Sequence, residues 1–542
     1  MSHAKNSVGM AAMAALLAAC GGSNSETSSV ATSTARGTLI QNPPYRVASL
    51  NASALNAQLS ASTSGQQLLQ LAGAPACGVD VYDFQYYTVG GQGETATASG
   101  ALMVPTGAAP QCSGPRPVVL YAHGTQANQA ANLANITDPS NTEGDLILAT
   151  FAAQGYIVVA PNYAGYDISS LKYHPFLDGD QQSKDMIDAL AAARTALPNT
   201  FAAATSDSGK LFVTGYSQGG YVAMATQRAL QSAGQAVTAA APMSGPYALE
   251  AFGDAIITGH VNIGSTIFVP MIVTSYQQAY GNIFSTLTDV YDQSYAANPA
   301  FSATSGNVLP STTPIATLYQ TGVLPQTALF SVNTPGVNGA PSSGSPALDA
   351  ALAVPNPATN PTATADQLAL WSVGFGSPGL ITNTLRISYA ADMAGNPDGA
   401  FPTPAAGLGV SAHVPTSTLR AGLRTNDLRN PAWAPAEPTL LCGGDQDPTV
   451  FFQLNTQVMQ SFWSGLPAGA LTVVDVDPTL GTNSNPSIAE LQGAFQQTLA
   501  GIAGAAVSAG ATDGGQSAVV QAYHTTVAPF CAVVARTFFG NF

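Results

Sequence analysis

The chain is constrained most by residues 211–221, which read LFVTGYSQGGY. An apolar run leads into a tight turn with Ser217 at its apex, and a helical segment follows. Gly215 and Gly219 flank the serine at two residues on either side, where the absence of a Cβ relieves the crowding of so sharp a turn. The pattern predicts a strand, a turn and a helix that expose the Ser217 hydroxyl in a strained conformation at the helix N-terminus.

A serine hydroxyl needs a base before it can act as a nucleophile, and histidine is the most common base. The chain has six histidines. We predict that His524, near the end of the sequence, is the partner of Ser217; the alternative is an ordinary surface histidine. His123 and His174 are predicted to be structural. For His123 we expect hydrogen bonds to the backbone, and for His174 a second option is a place in the pocket wall.

A carboxylate that orients the histidine is expected after a strand. Residues 439–442 form a short apolar run, and the sequence GGDQDPTV follows at 443–450. We favour Asp447, which lies in a G-x-x-D-x-x-V pattern, and Asp445 is the fallback. The alternative for Asp447 is a simple turn role before a proline. Weaker candidates follow the next apolar run: Asp475 and Asp477.

Nucleophilic attack on a carbonyl also needs backbone N–H groups that hold the oxyanion of the tetrahedral intermediate. The residue after the nucleophile supplies one of them, so we predict the N–H of Gln218. A second buried-looking run, 118–122, ends in His-Gly. We predict the N–H of Thr125, just beyond that run, as the second donor.

Taken together, these motifs resemble the α/β-hydrolase superfamily, and they are most similar to the secretory lipase family and related bacterial exported esterases. The order of serine, acid and histidine along the chain agrees with that superfamily. The resemblance implies a Ser217–His524–Asp447 triad, a large cap between the serine and acid strands, and hydrolysis of carboxylic esters without a cofactor. The segments that carry the resemblance are 123–124, 162–166, 174–177, 215–220, 442–450 and 523–524.

Apolar strands alternate with helical segments along the chain, which predicts an α/β fold with a mainly parallel central sheet flanked by helices. The favoured acid lies 230 residues beyond the serine, so we expect a large insertion between them. Within it, 256–284 is predicted to be helical and 332–364 to be loop, and 481–516 is predicted to be a second, smaller insertion. The predicted divisions are a signal peptide at 1–19, a flexible tether at 20–40, the core at 41–246 and 436–542, and the cap at 247–435.

The composition supports a large core and excludes one class of partner. Hydrophobic residues make up 46% of the 542 residues, charged residues only 8%, and the net charge is −15. A nucleic-acid partner is not expected, because phosphate binding needs clustered Lys and Arg. We expect a small-molecule or lipid ester as the substrate and no metal, since the sequence has no H-E-x-x-H motif, no Cys-x-x-Cys pair and no P-loop.

The first residues have the features of an export signal. A basic residue at Lys5 precedes the apolar run 8–19, which is too short to span a bilayer as a mature helix. The run ends in LAAC, which resembles the lipobox of bacterial lipoproteins and implies cleavage before Cys20, lipidation of its thiol and an outer-membrane destination. The alternative is an ordinary secretory leader with an incidental cysteine.

Four other cysteines are Cys77, Cys112, Cys442 and Cys531. An even number in an exported chain predicts two disulfides, for which three connectivities exist. We favour Cys77–Cys112 and Cys442–Cys531, since the second bond would tie the acid-bearing strand to the segment after the predicted histidine. The alternative is that some remain free, buried thiols.

Three other functions compete with ester hydrolysis. A serine peptidase on the same fold would use the same triad, but an amine-binding site would need clustered acids in the cap. The acids there do not cluster convincingly in sequence: Glu250, Asp254, Asp289 and Asp292. A polyester depolymerase would favour an open groove over a closed cap. A surface binding protein with an inactive hydrolase fold is disfavoured by an intact triad.

Overall fold

The computed structural model describes residues 34–202, 204–302, 309–337, 339–353 and 365–542. The chain from Thr34 to Phe542 forms one compact unit. The predicted signal peptide at 1–19, the lipidated Cys20 and most of the tether at 20–40 lie outside the described residues. These three remain predictions.

A nine-stranded sheet forms the centre of the described chain, in the order β1-β2-β3-β5-β4-β6-β7-β10-β11. The pairs among β1, β2, β3 and β5 are antiparallel, and all pairs from β5 to β11 are parallel. The predicted fold class, a mainly parallel sheet flanked by helices, is confirmed. The strands are β1 Tyr45–Leu50, β2 Gly78–Val89, β3 Thr95–Thr106, β4 Gly114–Ala122, β5 Ile157–Pro161, β6 Thr205–Tyr216, β7 Ala239–Met243, β8 Phe330–Ser331, β9 Phe375–Gly376, β10 Thr439–Gly443 and β11 Leu471–Asp475.

Helices cover both faces of this sheet and fill the span between β7 and β10. They are α1 Ala52–Ser60, α2 Thr63–Ala72, α3 Thr142–Thr150, α4 Gly179–Ala196, α5 Gln218–Ser232, α6 Leu249–Ile257, α7 Ser265–Tyr280, α8 Gln293–Ala296, α9 Pro299–Ser302, α10 Ile315–Gln320, α11 Pro346–Leu352, α12 Ala365–Gly374, α13 Asn383–Gly395, α14 Thr418–Asn426, α15 Thr456–Phe462, α16 Pro486–Ser508 and α17 Gln516–Phe539.

The strand β4 shows how the sheet divides the core in two. Val118 and Leu120 lie in the cluster that contains α4 and α5, whereas Val119 and Tyr121 lie in the cluster that contains α3 and α17. Successive side chains of a strand point to opposite faces, so a strand that is apolar at every position must be covered on both sides. The continuous apolar run in the sequence is therefore explained by a central strand between two helical layers.

The helix α17 carries His524 and packs in the core. By length and composition it is the one described helix that could cross a membrane, and 56% of its most apolar window is buried in the protein. Phe495 of α16 makes edge-to-face contacts with Tyr523 and Phe530 of α17. The segment 481–516, predicted as an insertion, is thus mostly the helix α16, which covers α17.

The span between β7 and β10 contains α6 to α14 and the small β8–β9 sheet, and we call it the cap segment. The prediction of loop over 332–364 is wrong at α11. Ser345 caps that helix by accepting a hydrogen bond from the N–H of Leu348, and Pro346 occupies its first position. Both features start helices, so the Pro and Ser that read as loop in sequence define a helix N-terminus.

Two buried arginines connect the first and last parts of the cap segment. The guanidinium of Arg420 on α14 lies 2.8 Å from Asp254 and 3.2 Å from Glu250, both on α6. Arg429 lies 2.6 Å from Asp398 and 2.7 Å from Asp427, and Asp427 accepts a hydrogen bond from the N–H of Glu250 on α6 at 2.9 Å. Removal of one partner from such a pair leaves an uncompensated buried charge, so these networks hold the two ends together.

Both favoured disulfides are present, Cys77–Cys112 and Cys442–Cys531. The second joins β10 to α17 and closes a sequence separation of 89 residues. In the chain-entropy model a loop of that length contributes about 4–5 kcal/mol to stability. The bond fixes the strand before Asp447 to the helix that carries His524.

Candidate active site

The turn at Ser217 has the strained backbone that its sequence predicts. Ser217 lies between β6 and α5 with φ 60° and ψ −122°, a region that residues with a Cβ rarely adopt. A Cβ on Gly219 would lie 1.9 Å from the carbonyl oxygen of Ala122, and one on Gly215 would lie 2.4 Å from the same atom. The two glycines therefore permit the close approach of β4, β6 and α5 that holds the serine.

His524 and Asp447 are in direct contact. Nδ1 of the imidazole lies 2.6 Å from Oδ2 of Asp447, and both side chains are buried. The other carboxylate oxygen accepts hydrogen bonds from the N–H groups of Thr449 and Val450, at 2.9 and 3.1 Å. These bonds fix the orientation of the carboxylate toward the imidazole.

The opposite edge of the imidazole is available for a proton. Among the described residues, Nε2 of His524 has no hydrogen-bond partner. Tyr216, the residue before Ser217, contacts the ring with 4.9 Å between ring centroids, so the nucleophile turn packs against His524. Bonds between nucleophile and base often tighten only when substrate is bound, so this geometry fits a general base.

The other candidate acids have different neighbours. Both carboxylate oxygens of Asp445 are buried without a hydrogen-bond partner in the described part of the chain. Asp475 accepts from the N–H groups of Asp445 and Asp477, and Asp477 accepts from the hydroxyl of Tyr523 at 2.6 Å. Of the four acids considered, Asp447 is the one that reaches the imidazole of His524.

The two predicted oxyanion donors border the same cavity as Ser217. Gln218 is the first residue of α5, and the N–H of a first helical residue has no partner within its helix. A Cβ on Gly124 would lie 3.7 Å from Cβ of Ser217, so the loop that carries Thr125 runs beside the nucleophile. This arrangement fits donors on two sides of a carbonyl at Ser217.

A cavity of about 100 Å³ is lined by Ser217 and, over most of its wall, by the cap segment. Apart from Ser217, Thr125 and Gln218, its wall is mainly aliphatic and aromatic and comes from α6, α7, β8, α13 and α14. The hydrophobic residues of this wall include Leu249, Phe252, Ile256, Ile257, Phe268, Val269, Ile272, Phe330, Ile381, Leu385, Leu419 and Leu423. Such a wall fits an apolar group much better than a polar one.

Comparisons with known proteins bear on the fold. A family model described as the prolyl oligopeptidase family matches residues 143–262, which include Ser217 and exclude Asp447 and His524. No curated protein matches the chain. The solved structure of the rice cell wall degrading esterase LipA from Xanthomonas oryzae is similar, with a TM-score of 0.62 and 25% identity, over 93% of this chain and 98% of that chain.

A candidate hydrolase from Legionella pneumophila is also similar in structure, with a TM-score of 0.58 and 16% identity, over 93% of this chain and 97% of that chain. These likenesses extend through nearly the whole chain, including the cap segment. The chain has the α/β-hydrolase fold.

In this α/β-hydrolase, the loop after β4 is held by a residue that the sequence did not single out. Glu143, in the first turn of α3, accepts hydrogen bonds from the N–H of Gly124 at 2.9 Å and from the hydroxyl of Tyr121 at 2.8 Å. The hydroxyl of Tyr163 donates to the carbonyl of His123 at 3.0 Å. The loop beside Ser217 is therefore fixed by side chains from α3 and from the segment after β5.

His123 supports the same loop of the hydrolase fold. Its ring lies 2.6 Å from the carbonyl oxygen of Gly124 and 3.1 Å from that of Asn162, and it stacks on Tyr163 with 4.1 Å between centroids. Both ring nitrogens thus face backbone, which agrees with the structural role that the sequence analysis gives this histidine.

His174 holds the side chain of the predicted oxyanion residue. Its Nδ1 lies 2.9 Å from the carbonyl of Ala164, and its Nε2 lies 2.7 Å from the amide nitrogen of Gln218. Burial lowers the pKa of His174 to about 3, so the ring is neutral at physiological pH. Nδ1–H then donates to the carbonyl, and Nε2 accepts from the amide of Gln218.

Proposed function

We propose that the chain is a carboxylic ester hydrolase that acts through an acyl-enzyme on Ser217. The observation that carries this proposal is the Asp447–His524 pair, which packs on Tyr216 at the turn whose next residue, Ser217, lines an apolar cavity. His524 is assigned as the general base, and Asp447 as the carboxylate that holds the ring in its productive tautomer.

The geometry suggests how the reaction proceeds. His524 Nε2 accepts the proton of Ser217 as its Oγ attacks the ester carbonyl, and the N–H groups of Gln218 and Thr125 bind the resulting oxyanion. The protonated imidazole then donates this proton to the departing alkoxide, which leaves as an alcohol. In the second half, His524 takes a proton from water as the water oxygen attacks the acyl carbonyl. The bond to Ser217 Oγ then breaks, and His524 returns the proton to Oγ, which releases the acid and restores both residues.

The cavity favours an ester over a peptide. A peptide brings N–H and C=O groups that must be hydrogen-bonded when they leave water, and an apolar wall offers them few partners. A site for a basic amine is also disfavoured. Glu250 and Asp254 are already paired with Arg420, and Asp289 and Asp292 accept hydrogen bonds from the local backbone. A polyester chain is disfavoured because it would need a long open groove, whereas Ser217 lines a small cavity whose wall comes mostly from the cap segment.

We also propose that the protein acts outside the cytoplasm. Two disulfides within the described residues are consistent with an oxidising compartment. The cleavage before Cys20, its lipidation and an outer-membrane anchor are the finer form of this proposal. Mass spectrometry of the membrane fraction, with Cys20→Ser as the comparison, tests it: the anchored form predicts a diacylglyceryl N-terminal peptide that this substitution removes.

The activity is tested with a series of p-nitrophenyl esters from short to long acyl chains. We expect hydrolysis by the unmodified enzyme and a loss of about 10⁴-fold or more in Ser217→Ala. The matched control is Ser206→Ala, which changes an exposed serine of β6, the strand that leads to Ser217, and should retain full activity. Absence of hydrolysis of every ester by the folded enzyme would overturn the proposal, and amino-acyl arylamides would then test the peptidase.

A further inference from the structure

Arg386 is a buried cation for which the described part of the chain supplies no counter-ion. It lies on α13 with 0% exposure, and its Nε donates to the carbonyl of Ile257 at 2.8 Å. Within the described residues, neither Nη1 nor Nη2 has a hydrogen-bond partner. Burial lowers the pKa of Arg386 to about 10, so the guanidinium still carries its charge at neutral pH.

The other two fully buried arginines of the cap segment are neutralised. Arg420 faces Glu250 and Asp254, and Arg429 faces Asp398 and Asp427. Arginine presents a planar fork of donors that matches a carboxylate, and a buried charge is ordinarily paired. Arg386 departs from this pattern because its fork is directed at no acceptor of the described chain.

The guanidinium lies directly behind the wall of the cavity. Its Cζ is 4.4 Å from the centroid of the Phe330 ring and 5.7 Å from that of Phe375. Phe330 and Ile257 both contact Arg386 and both line the cavity, as do its α13 neighbours Leu385 and Tyr389.

We propose that Arg386 binds the terminal carboxylate of an acyl chain in this cavity, so that the preferred substrates are half-esters of dicarboxylic acids. The ester end lies at Ser217, the methylene chain lies against the apolar wall, and the free carboxylate displaces Phe330 and forms a two-pronged bond with Nη1 and Nη2. The assignment of the ester end rests on the proposed function, whereas the carboxylate site itself does not.

Binding is measured first, in the Ser217→Ala protein, by calorimetry at about pH 7.5 with octanedioate, its monomethyl ester and methyl octanoate. The first two probes carry a free carboxylate for Arg386, and methyl octanoate carries none. We expect octanedioate and its monomethyl ester each to bind about tenfold or more tightly than methyl octanoate. Equal or weaker binding of the two carboxylates would overturn the inference. It would also be overturned if sodium chloride stabilised the protein against unfolding as much as octanedioate does, because the site would then bind a small inorganic anion.

Substitution then tests the residue. In the Ser217→Ala background, Arg386→Met should abolish the preference for octanedioate, whereas Arg386→Lys should retain part of it because the charge remains. The matched control is Arg424→Met, because Arg424 also donates from Nε to a carbonyl, that of Ser411, but lies outside the cavity wall. Survival of the preference in a folded Arg386→Met protein, verified by thermal unfolding, would contradict the role of Arg386.

Turnover provides an independent measure with active Ser217. The ratio of kcat/KM for the p-nitrophenyl half-ester of octanedioate to that for p-nitrophenyl octanoate should fall about tenfold or more in Arg386→Met, and should not change in Arg424→Met. If the enzyme hydrolyses neither ester while Ser217→Ala binds octanedioate, the proposed function fails and the carboxylate site stands. If it hydrolyses both and Arg386→Met leaves the ratio unchanged, the carboxylate site fails and the esterase stands.

Discussion

The hydroxyl of Tyr216 donates a hydrogen bond to the backbone carbonyl of His524 and also lies 3.3 Å from its Nδ1. Tyr216 is the residue before Ser217, so one side chain connects the nucleophile turn to both the backbone and the ring of the histidine. It is a positioning residue: it touches the imidazole and has no contact with a reacting carbonyl. The hydroxyl of Tyr216 and the carboxylate of Asp447 both lie at Nδ1 of His524. Together they fix the direction in which Nε2 of the same ring points.

Tyr216→Phe removes this connection and keeps the aromatic ring. We expect kcat to fall about tenfold with KM nearly unchanged, because substrate contacts remain while the orientation of His524 is less well defined. The lost hydrogen bond should cost about 1 kcal/mol of unfolding free energy. Steady-state kinetics and urea unfolding measure both. An increase in KM alone would show that Tyr216 acts on the cavity and not on His524.

Asp447→Asn should reduce kcat by about 10⁴-fold, since an amide in place of the carboxylate favours the wrong tautomer of His524. Asp445→Asn is the matched control, because Asp445 lies two residues away, is equally buried and has no hydrogen bond to His524. It should change kcat by less than about threefold. Hydrolysis of a p-nitrophenyl ester by the two variants is the measurement. A larger loss of kcat in Asp445→Asn than in Asp447→Asn would show that Asp445 is the acid that orients His524.

His174→Phe should lower kcat about tenfold. The ring contacts with Tyr163 and Tyr166 remain, but the amide of Gln218 loses its acceptor, so the backbone N–H of that residue is less well positioned. Gln218→Ala should have a similar effect, and the double variant should be no worse than either single one. Additive losses in this cycle would show that the two side chains act separately.

The stability of the protein should depend on Asp475. Burial, together with the charges of Asp445 and Asp477, raises the pKa of Asp475 from 3.8 to about 7. The folded state therefore binds this proton more tightly than the unfolded state, and stability is lost as the pH rises from about 4 to about 7.

Asp475→Asn removes that loss and keeps an oxygen for the N–H groups of Asp445 and Asp477. We expect a gain of about 2 kcal/mol at about pH 8, reduced from the full linkage value because the side chain is half-buried, and no gain near pH 4. Urea unfolding across this range is the measurement. An equal gain in unfolding free energy at about pH 4 and about pH 8 would show that packing, and not the ionisation of Asp475, is responsible.

The two disulfides should differ in their effect on catalysis. Replacement of Cys442 and Cys531 by alanine should cost about 2–5 kcal/mol and also lower kcat, because it frees β10 from α17. The matched control is the Cys77 and Cys112 pair, which joins residues distant in sequence from the predicted triad. Its removal should lower stability with kcat retained. Equal kcat in both proteins would show that α17 is held by packing alone.

The predictable parts of the site are those whose signal lies within one short segment. The strained turn at Ser217 is encoded by its own flanking glycines, and the central strand β4 by its apolar run. His524 lies 2.6 Å from Asp447, the two residues that the order of the motifs along the chain pairs; their catalytic roles stay a prediction. For the turn and the strand the reason is local: a backbone approach that only glycine permits, or burial on both faces of a sheet.

The supporting contacts could not be predicted because their partners are far apart in sequence. Glu143 holds the loop after β4, and His174 holds Gln218, only once α3 and the segment before α4 have packed on the sheet. Nothing in the sequence around Arg386 distinguishes it from Arg420, since the difference is which carboxylates the fold brings close. In the cap segment, α11 was missed because a Ser-Pro helix start reads as loop.

The networks of Arg420 and Arg429 have a consequence for how such a chain can diverge. They fix the first and last parts of the cap segment by charge, at sites that contact α6 and the residues after α13. The residues between, 258–391, line the cavity largely with apolar side chains, a class that tolerates exchange when total volume is kept. Descendants of this chain can therefore acquire new substrate ranges by substitution in that interval while Ser217, Asp447 and His524 keep their places.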